Sequence, residues 1–201
     1  MMPKRLFLGI TLLAIIGAGV FLFLRQKPSA EIHLQAEREI YSVLFASMVS
    51  PDELSKINDF TLIDEYTSLG DSQGCTPESW CYPFITEDLP QLKQATLEDF
   101  REKNNQSYLM KEYLPSTIDN SLLAINDQKE YWWRISFSRI GFNSSFTQAL
   151  VLVGDCRGDG CFSDEGEFIY GRGYFSLLEK VNGKWIIQDE AFAWITEKPS
   201  P

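Results

Sequence analysis

The sequence predicts an α+β protein: an N-terminal transmembrane helix, then helices packed on a C-terminal antiparallel β-meander. Three observations carry this reading. Residues 6–24, LFLGITLLAIIGAGVFLFL, are 19 uncharged residues in a row. Apolar residues at three- and four-residue steps mark helices after that run. Alternating residues and an Asn182-Gly183 pair mark strands and a tight hairpin in the last third.

The apolar run comes first in the chain. At about 1.5 Å per helical residue it reaches about 28 Å, close to the hydrocarbon thickness of a bilayer. A cleaved signal peptide would have a shorter apolar region, about 7–15 residues, and a small-x-small cleavage site. Here Arg25-Gln26-Lys27-Pro28 follows directly. The expectation is an uncleaved anchor over residues 1–27 and a body over residues 28–201. Flanking charge does not orient the anchor, because Arg25 and Lys27 on one side match Lys4 and Arg5 on the other.

In the body, Ala36, Ile40, Val43, Leu44 and Met48 form a helical apolar stripe, with Glu37, Arg38 and Glu39 mostly outside it. Ser50-Pro51-Asp52-Glu53 has the form of a capping box with proline at the first helical position, opening a short helix to about Asn58. FTLIDEYT, residues 60–67, is strand-like, and residues 70–83 read as a loop. Asp88 is placed to cap a helix from Leu89, and Thr96 offers a second start. Leu92, Thr96, Leu97 and Phe100 supply its apolar side, and Asn104-Asn105 end it. SLLAIN, residues 121–126, is a short strand. YWWRISFSRIGF alternates Trp133, Ile135, Phe137 and Arg139 against Trp132, Arg134, Ser136 and Ser138. Residues 142–147 turn the chain into QALVLVG, and FIYGRGYFSLLEK and KWIIQDEAFAWIT complete the meander. The helices are expected against one sheet face.

The chain has 201 residues, 18 of them basic and 28 acidic. Residues 1–27 hold four of the basic residues and none of the acids, which leaves the body at −14. A field of that sign repels phosphate backbones, so nucleic acid is not an expected partner. The four cysteines fall in two close pairs, Cys75/Cys81 and Cys156/Cys161. Local pairs fit two disulfides in an oxidising compartment. Reduced thiols in a cytosolic body are the alternative. Zinc is disfavoured by the Cys-x5-Cys and Cys-x4-Cys spacings. The expected location is a single-pass membrane protein with its body outside the cytoplasm, in the periplasm or at the cell surface.

SRIGFNSSFTQALVLVG, then GRGYFSLLEKVNGKW and a closing AWIT, resemble a group of bacterial exported proteins of no established activity. That group has an SRVGFN-type strand, a QALVYV-type strand and a YYLLEKxNGKW-type hairpin. TLEDFREKN, residues 96–104, is similar to its helix. The resemblance covers residues 96–196. It implies fold kinship, and no reaction.

GDCRGDGCFSDEGE, residues 154–167, invites four readings. As an EF-hand loop from Asp155 it has Asp159 and Gly160 in place, but Arg157 occupies a ligand position and Gly166 replaces the bidentate acid. A looser calcium site of Asp155, Asp159, Asp164 and Glu165 stays open. The Arg-Gly-Asp triplet is too short to carry an adhesive role. Redox dithiols usually have two residues between the sulfurs. The plainest reading is a hairpin end clipped by Cys156 and Cys161.

Catalytic signals are weak. The single histidine, His33, stands next to the anchor, away from any nucleophile motif. Gly171-Arg172-Gly173 lacks a dinucleotide fingerprint, and no cofactor is expected. Trp132 and Trp133 are adjacent on one strand, so on a regular strand one of them faces away from the core and is the best candidate for a contact surface. The functional expectation is a non-catalytic binding or scaffolding role at the cell envelope, with an envelope protein or glycan as partner. The alternative is an envelope hydrolase that uses a carboxylate pair.

Overall fold

The computed structural model describes residues 30–48, 61–63, 81–116, 118, 133–157 and 171–196. The chain forms two compact units, Met1–His33 and Leu34–Pro201. Among the described residues no helix is long and apolar enough to cross a membrane. The apolar run at residues 6–24 lies outside them, as do the expected helix at 51–58 and the strand at 121–126.

Helix α1, Ala30–Met48, follows the expected stripe and buries Ala36, Ile40, Tyr41 and Leu44. Glu37 departs from the expectation. It is buried too, because residues 37, 41, 44 and 48 repeat at helical steps along the same face. Strand β1, Thr61–Ile63, is the described part of the expected 60–67 strand.

Residues 81–83 were expected in a loop and lie in a helix instead: α2, Cys81–Asp88. Pro83 is compatible with this because the first-turn N–H groups of a helix have no intrahelical acceptor. Asp88 therefore ends a helix and does not cap one. Helix α3, Gln94–Lys103, starts two residues before Thr96 and has no side-chain cap of its own. Gln148, from a strand, does that work. Its Oε1 accepts from Lys93 N at 2.8 Å and from Thr96 Oγ1 at 3.0 Å. Asn104 closes α3 as expected, with its N–H on Phe100 O.

The sheet holds β2 (Trp133–Phe137), β3 (Gly141–Phe142), β4 (Gln148–Arg157), β5 (Gly171–Val181) and β6 (Lys184–Thr196). Its order is β1-β2-β4-β5-β6, with β3 also on β4. All pairs are antiparallel except β1 with β2, which is parallel, so the meander is not purely antiparallel. The hairpin turn at Asn182-Gly183 has φ of 51° and 81°, the primed geometry that matches strand twist.

Helices cover both sheet faces, not one. Residues of α1 share a core with Ala149, Val151 and Val153. Residues of α2 and α3 share a second core with Leu150, Leu152, Phe175 and Leu177. The unbroken run Ala149–Val153 makes this possible, since a strand buried on both faces has no polar side. Strand β4 also runs further than expected and takes in Asp155, Cys156 and Arg157.

The expected single strand over residues 131–142 is broken. Phe137 pairs with Val153 and Gly141 pairs with Leu150, so Ser138, Arg139 and Ile140 stand opposite only Val151 and Leu152. This is a β-bulge, and it takes Arg139 out of the simple alternation. After it, Gly141 lies directly under α3. A Cβ there would overlap the Phe100 backbone. We expect Gly141→Ala to lower stability by about 3 kcal/mol, the upper end of overpacking penalties, because backbone on both sides must move. Urea denaturation at neutral pH measures this, and a loss below 0.5 kcal/mol would contradict the close approach.

Candidate functional site

Two places concentrate polar chemistry. The first is built around the bulge. Arg139 points at α1, where Nε and Nη2 donate to Glu37 Oε2 and Oε1 at 3.1 and 2.9 Å. Its Nη1 donates to the Tyr113 hydroxyl at 2.9 Å, and the guanidinium lies 3.9 Å from the Tyr113 ring centre. Tyr108 adds a second ring at 4.6 Å. Lys103 Nζ sits 3.9 Å from Glu37, bonds Asp99 at 2.9 Å and donates to Ile140 O. The Tyr41 hydroxyl donates to Ser138 O at 2.7 Å.

Backbone groups freed by the bulge are met as well. Asn104 accepts from Arg139 N through Oδ1 at 2.7 Å and donates to Arg139 O through Nδ2 at 2.9 Å. Ser138 Oγ accepts from Leu152 N at 2.8 Å. Asp99 Oδ2 accepts from Phe142 N at 2.7 Å.

Only 1% of the Glu37 surface is exposed. Burial pushes its carboxyl above the usual range, and Arg139 and Lys103 only partly oppose this. Burial pulls the Arg139 guanidinium down, but its bonds to Glu37 more than offset that, and it stays charged. Burial also raises the Tyr41 and Tyr113 hydroxyls, which keeps both protonated. The cluster is closed and every member is bonded to another. Its chemistry is that of a structural lock.

The second place is a groove of about 450 Å³ on the α1 face of the sheet. Met48, Tyr174, Ile187 and Phe192 give it apolar and aromatic walls. Phe192 is 60% exposed. Asp155, Arg172 and Glu190 supply charge. Arg172 Nε and Nη2 both donate to Asp155 Oδ2, at 3.1 and 2.9 Å, and Ser176 Oγ donates to Glu190 Oε1 at 3.0 Å.

The expected site residues fare unevenly. Asp155 is 4% exposed and bound to a guanidinium, which competes with any cation. Asp159, Asp164 and Glu165 lie outside the described residues, and no group of three potential ligands occurs among the described ones. Cys156 is buried opposite Arg134 and is disulfide-bonded. Its partner sulfur lies outside the described side chains, as do Cys75, Cys161 and the Cys81 side chain. Trp132 and the Trp133 side chain lie outside them too, although Trp133 opens β2 opposite Arg157. Sequence reasoning missed Glu37, Arg139 and the Phe192 groove. The signal for Glu37 was its spacing from Tyr41 and Leu44. For Phe192 there was none, since the groove forms only when β5, β6 and α1 meet. The chain matches no protein-family model, no curated protein and no solved structure.

The Glu37 shift has a testable sign. Its carboxyl is raised on folding, so the stability it contributes is complete below about pH 4.5 and is lost as pH rises through the folded value. Removing Arg139 raises the carboxyl further. We expect Arg139→Met to cost about 3–5 kcal/mol at pH 7.5, the range for breaking a buried pair, and less at pH 4.5, where Glu37 takes up a proton. Parallel urea titrations of wild type and variant measure the difference. An equal loss at both pH values would show that Glu37 stays ionised without its partner.

Proposed function

We propose that this is a single-pass membrane protein whose body, residues 28–201, works outside the cytoplasm as a non-catalytic binding or scaffolding module. The 19-residue apolar run supports the anchor. The two close cysteine pairs support an oxidising location, with Cys156–Cys161 and Cys75–Cys81 as the bridges. The resemblance to exported proteins over residues 96–196 points the same way.

The observation that carries the binding role is Phe192, a large aromatic side chain 60% exposed beside a partly apolar groove. Exposed aromatic surface rimmed by charge is typical of contact sites. The hydrolase alternative would draw on Asp155 and Glu190. Both already accept bonds, from Arg172 and Ser176, whereas a catalytic pair needs one acid and one base directed at substrate. An envelope protein or glycan fits the groove's mixture of rings and polar groups.

Two measurements test this. In intact spheroplasts, added protease should digest the body while the product remains membrane-bound beforehand. Non-reducing peptide maps should join Cys156 to Cys161 and Cys75 to Cys81. A soluble product starting near Ser29, or a Cys75–Cys156 peptide, overturns the topology or the pairing. For the role, Phe192→Ser should change stability by less than about 0.5 kcal/mol, as an exposed site does, yet abolish cross-linking of the body to envelope components. If Glu190→Gln removes the cellular phenotype and Phe192→Ser does not, the carboxylate reading prevails.

A further inference from the structure

We infer that a second groove, between α1 and residues 111–116, binds a small oxyanion, a phosphate or sulfate group, between Arg38 and Lys111. This groove has a volume of about 370 Å³. On α1 it is lined by Gln35, Arg38, Glu39 and Ser42, which fall on one helical face at three- and four-residue steps. Lys111 and Ser116 face them over an apolar floor at Leu114 and Pro115.

Acids outnumber basic residues 28 to 18, and Lys103, Arg139 and Arg172 each meet a carboxylate. Among the described residues Arg38 and Lys111 do not. Arg38 Nη2 donates only to the Glu112 carbonyl, at 3.2 Å, and its Nε is buried without a partner. Lys111 makes no ion pair or hydrogen bond among the described residues. The one acid in the lining, Glu39, is held by Gln35 Nε2 at 3.2 Å, and it opposes anion binding. Ser42 donates its hydroxyl to Arg38 O, so it is not a donor for a ligand. That leaves the remaining guanidinium N–H groups, the ammonium and the Ser116 hydroxyl.

Donors on two sides of a groove suit a three-oxygen group better than a flat carboxylate. The ligand must also be compact. A polyanion would meet the whole body's charge of −14, while a small ion feels mainly groups within a screening length of about 8 Å. The site shares no residue with the Phe192 groove and goes beyond the binding role proposed above.

The experiment uses the full chain in neutral detergent micelles, with amide NMR shifts followed at residues 38, 111 and 116. Inorganic phosphate should give saturable shifts there. Sodium chloride at equal ionic strength should not, and acetate should bind more weakly. Lys111→Gln, which removes no bond of the fold, should weaken phosphate affinity about tenfold with an unchanged melting temperature. Arg38→Gln serves as a second variant, read only if its melting temperature is preserved. Nanodiscs of neutral phosphatidylcholine and of phosphatidylglycerol distinguish the source. Shifts in the anionic discs without added phosphate assign the group to a lipid, and shifts only on adding phosphate assign it to a free ion. The inference is overturned if chloride reproduces the shifts, if phosphate produces none, or if Lys111→Gln binds phosphate as wild type does.

Discussion

A guanidinium buried without its carboxylate, or a carboxylate without its guanidinium, costs several kcal/mol. The bulge at residues 138–140 turns Arg139 toward α1, and Glu37 on α1 has no other bidentate partner among the described residues. Each therefore fixes where the other must lie. The ion pair is weak evidence for net stability, since an apolar pair of equal volume often does as well. What it supplies is register. A one-turn slide of α1 would still pack leucine and isoleucine on the sheet, but it would strand Glu37 in the core.

The same bulge ties in the opposite face. A bulge leaves backbone groups without ladder partners, and a buried unpaired peptide is expensive. Asn104, at the end of α3, satisfies both polar groups of Arg139, while Tyr41 of α1 satisfies Ser138 O. Gly141 then lets α3 approach until no side chain fits between it and the strand. One irregularity in one strand thus meets a helix on each side of the sheet. The segments SRIGFN and TLEDFREKN are those that meet here, and what joins them is packing and hydrogen bonding.

What could be read from the sequence follows the range of the interactions. The α1 stripe, the Asn104 helix end, the Asn182-Gly183 hairpin and the strands from Gln148 onward depend on neighbours within a few residues. The bulge depends on Asn104, 35 residues back, and Glu37, 102 residues back. Charge at Glu37 argued for the surface, although its spacing from Tyr41 and Leu44 puts it on the buried face, and its partner there, Arg139, is distant in sequence. Helix α3 begins at Gln94 because Gln148 caps it from β4, so Thr96 was misread as a start when its hydroxyl is spoken for by that same side chain. The two-sided burial of β4 was visible in ALVLV, whereas the helices were expected against a single sheet face. Asp155 was grouped with the acidic stretch that follows it. The ladder carries β4 past it, and Arg172 on β5 lies directly opposite.

The distribution of polar groups also bears on activity. Catalytic sites keep titratable groups shifted and directed at space where a substrate can sit. Here the shifted groups, Glu37, Tyr41, Tyr113 and Arg139, are turned toward one another around the bulge. The open groove instead presents Phe192 and Tyr174, with Asp155 already held by Arg172. An ion pair at the edge of an apolar groove sets the orientation of a bound partner more than it drives a reaction. Among the described residues the groups with shifted protonation are thus enclosed, and the groove presents an exposed aromatic ring, which supports the recognition role proposed above.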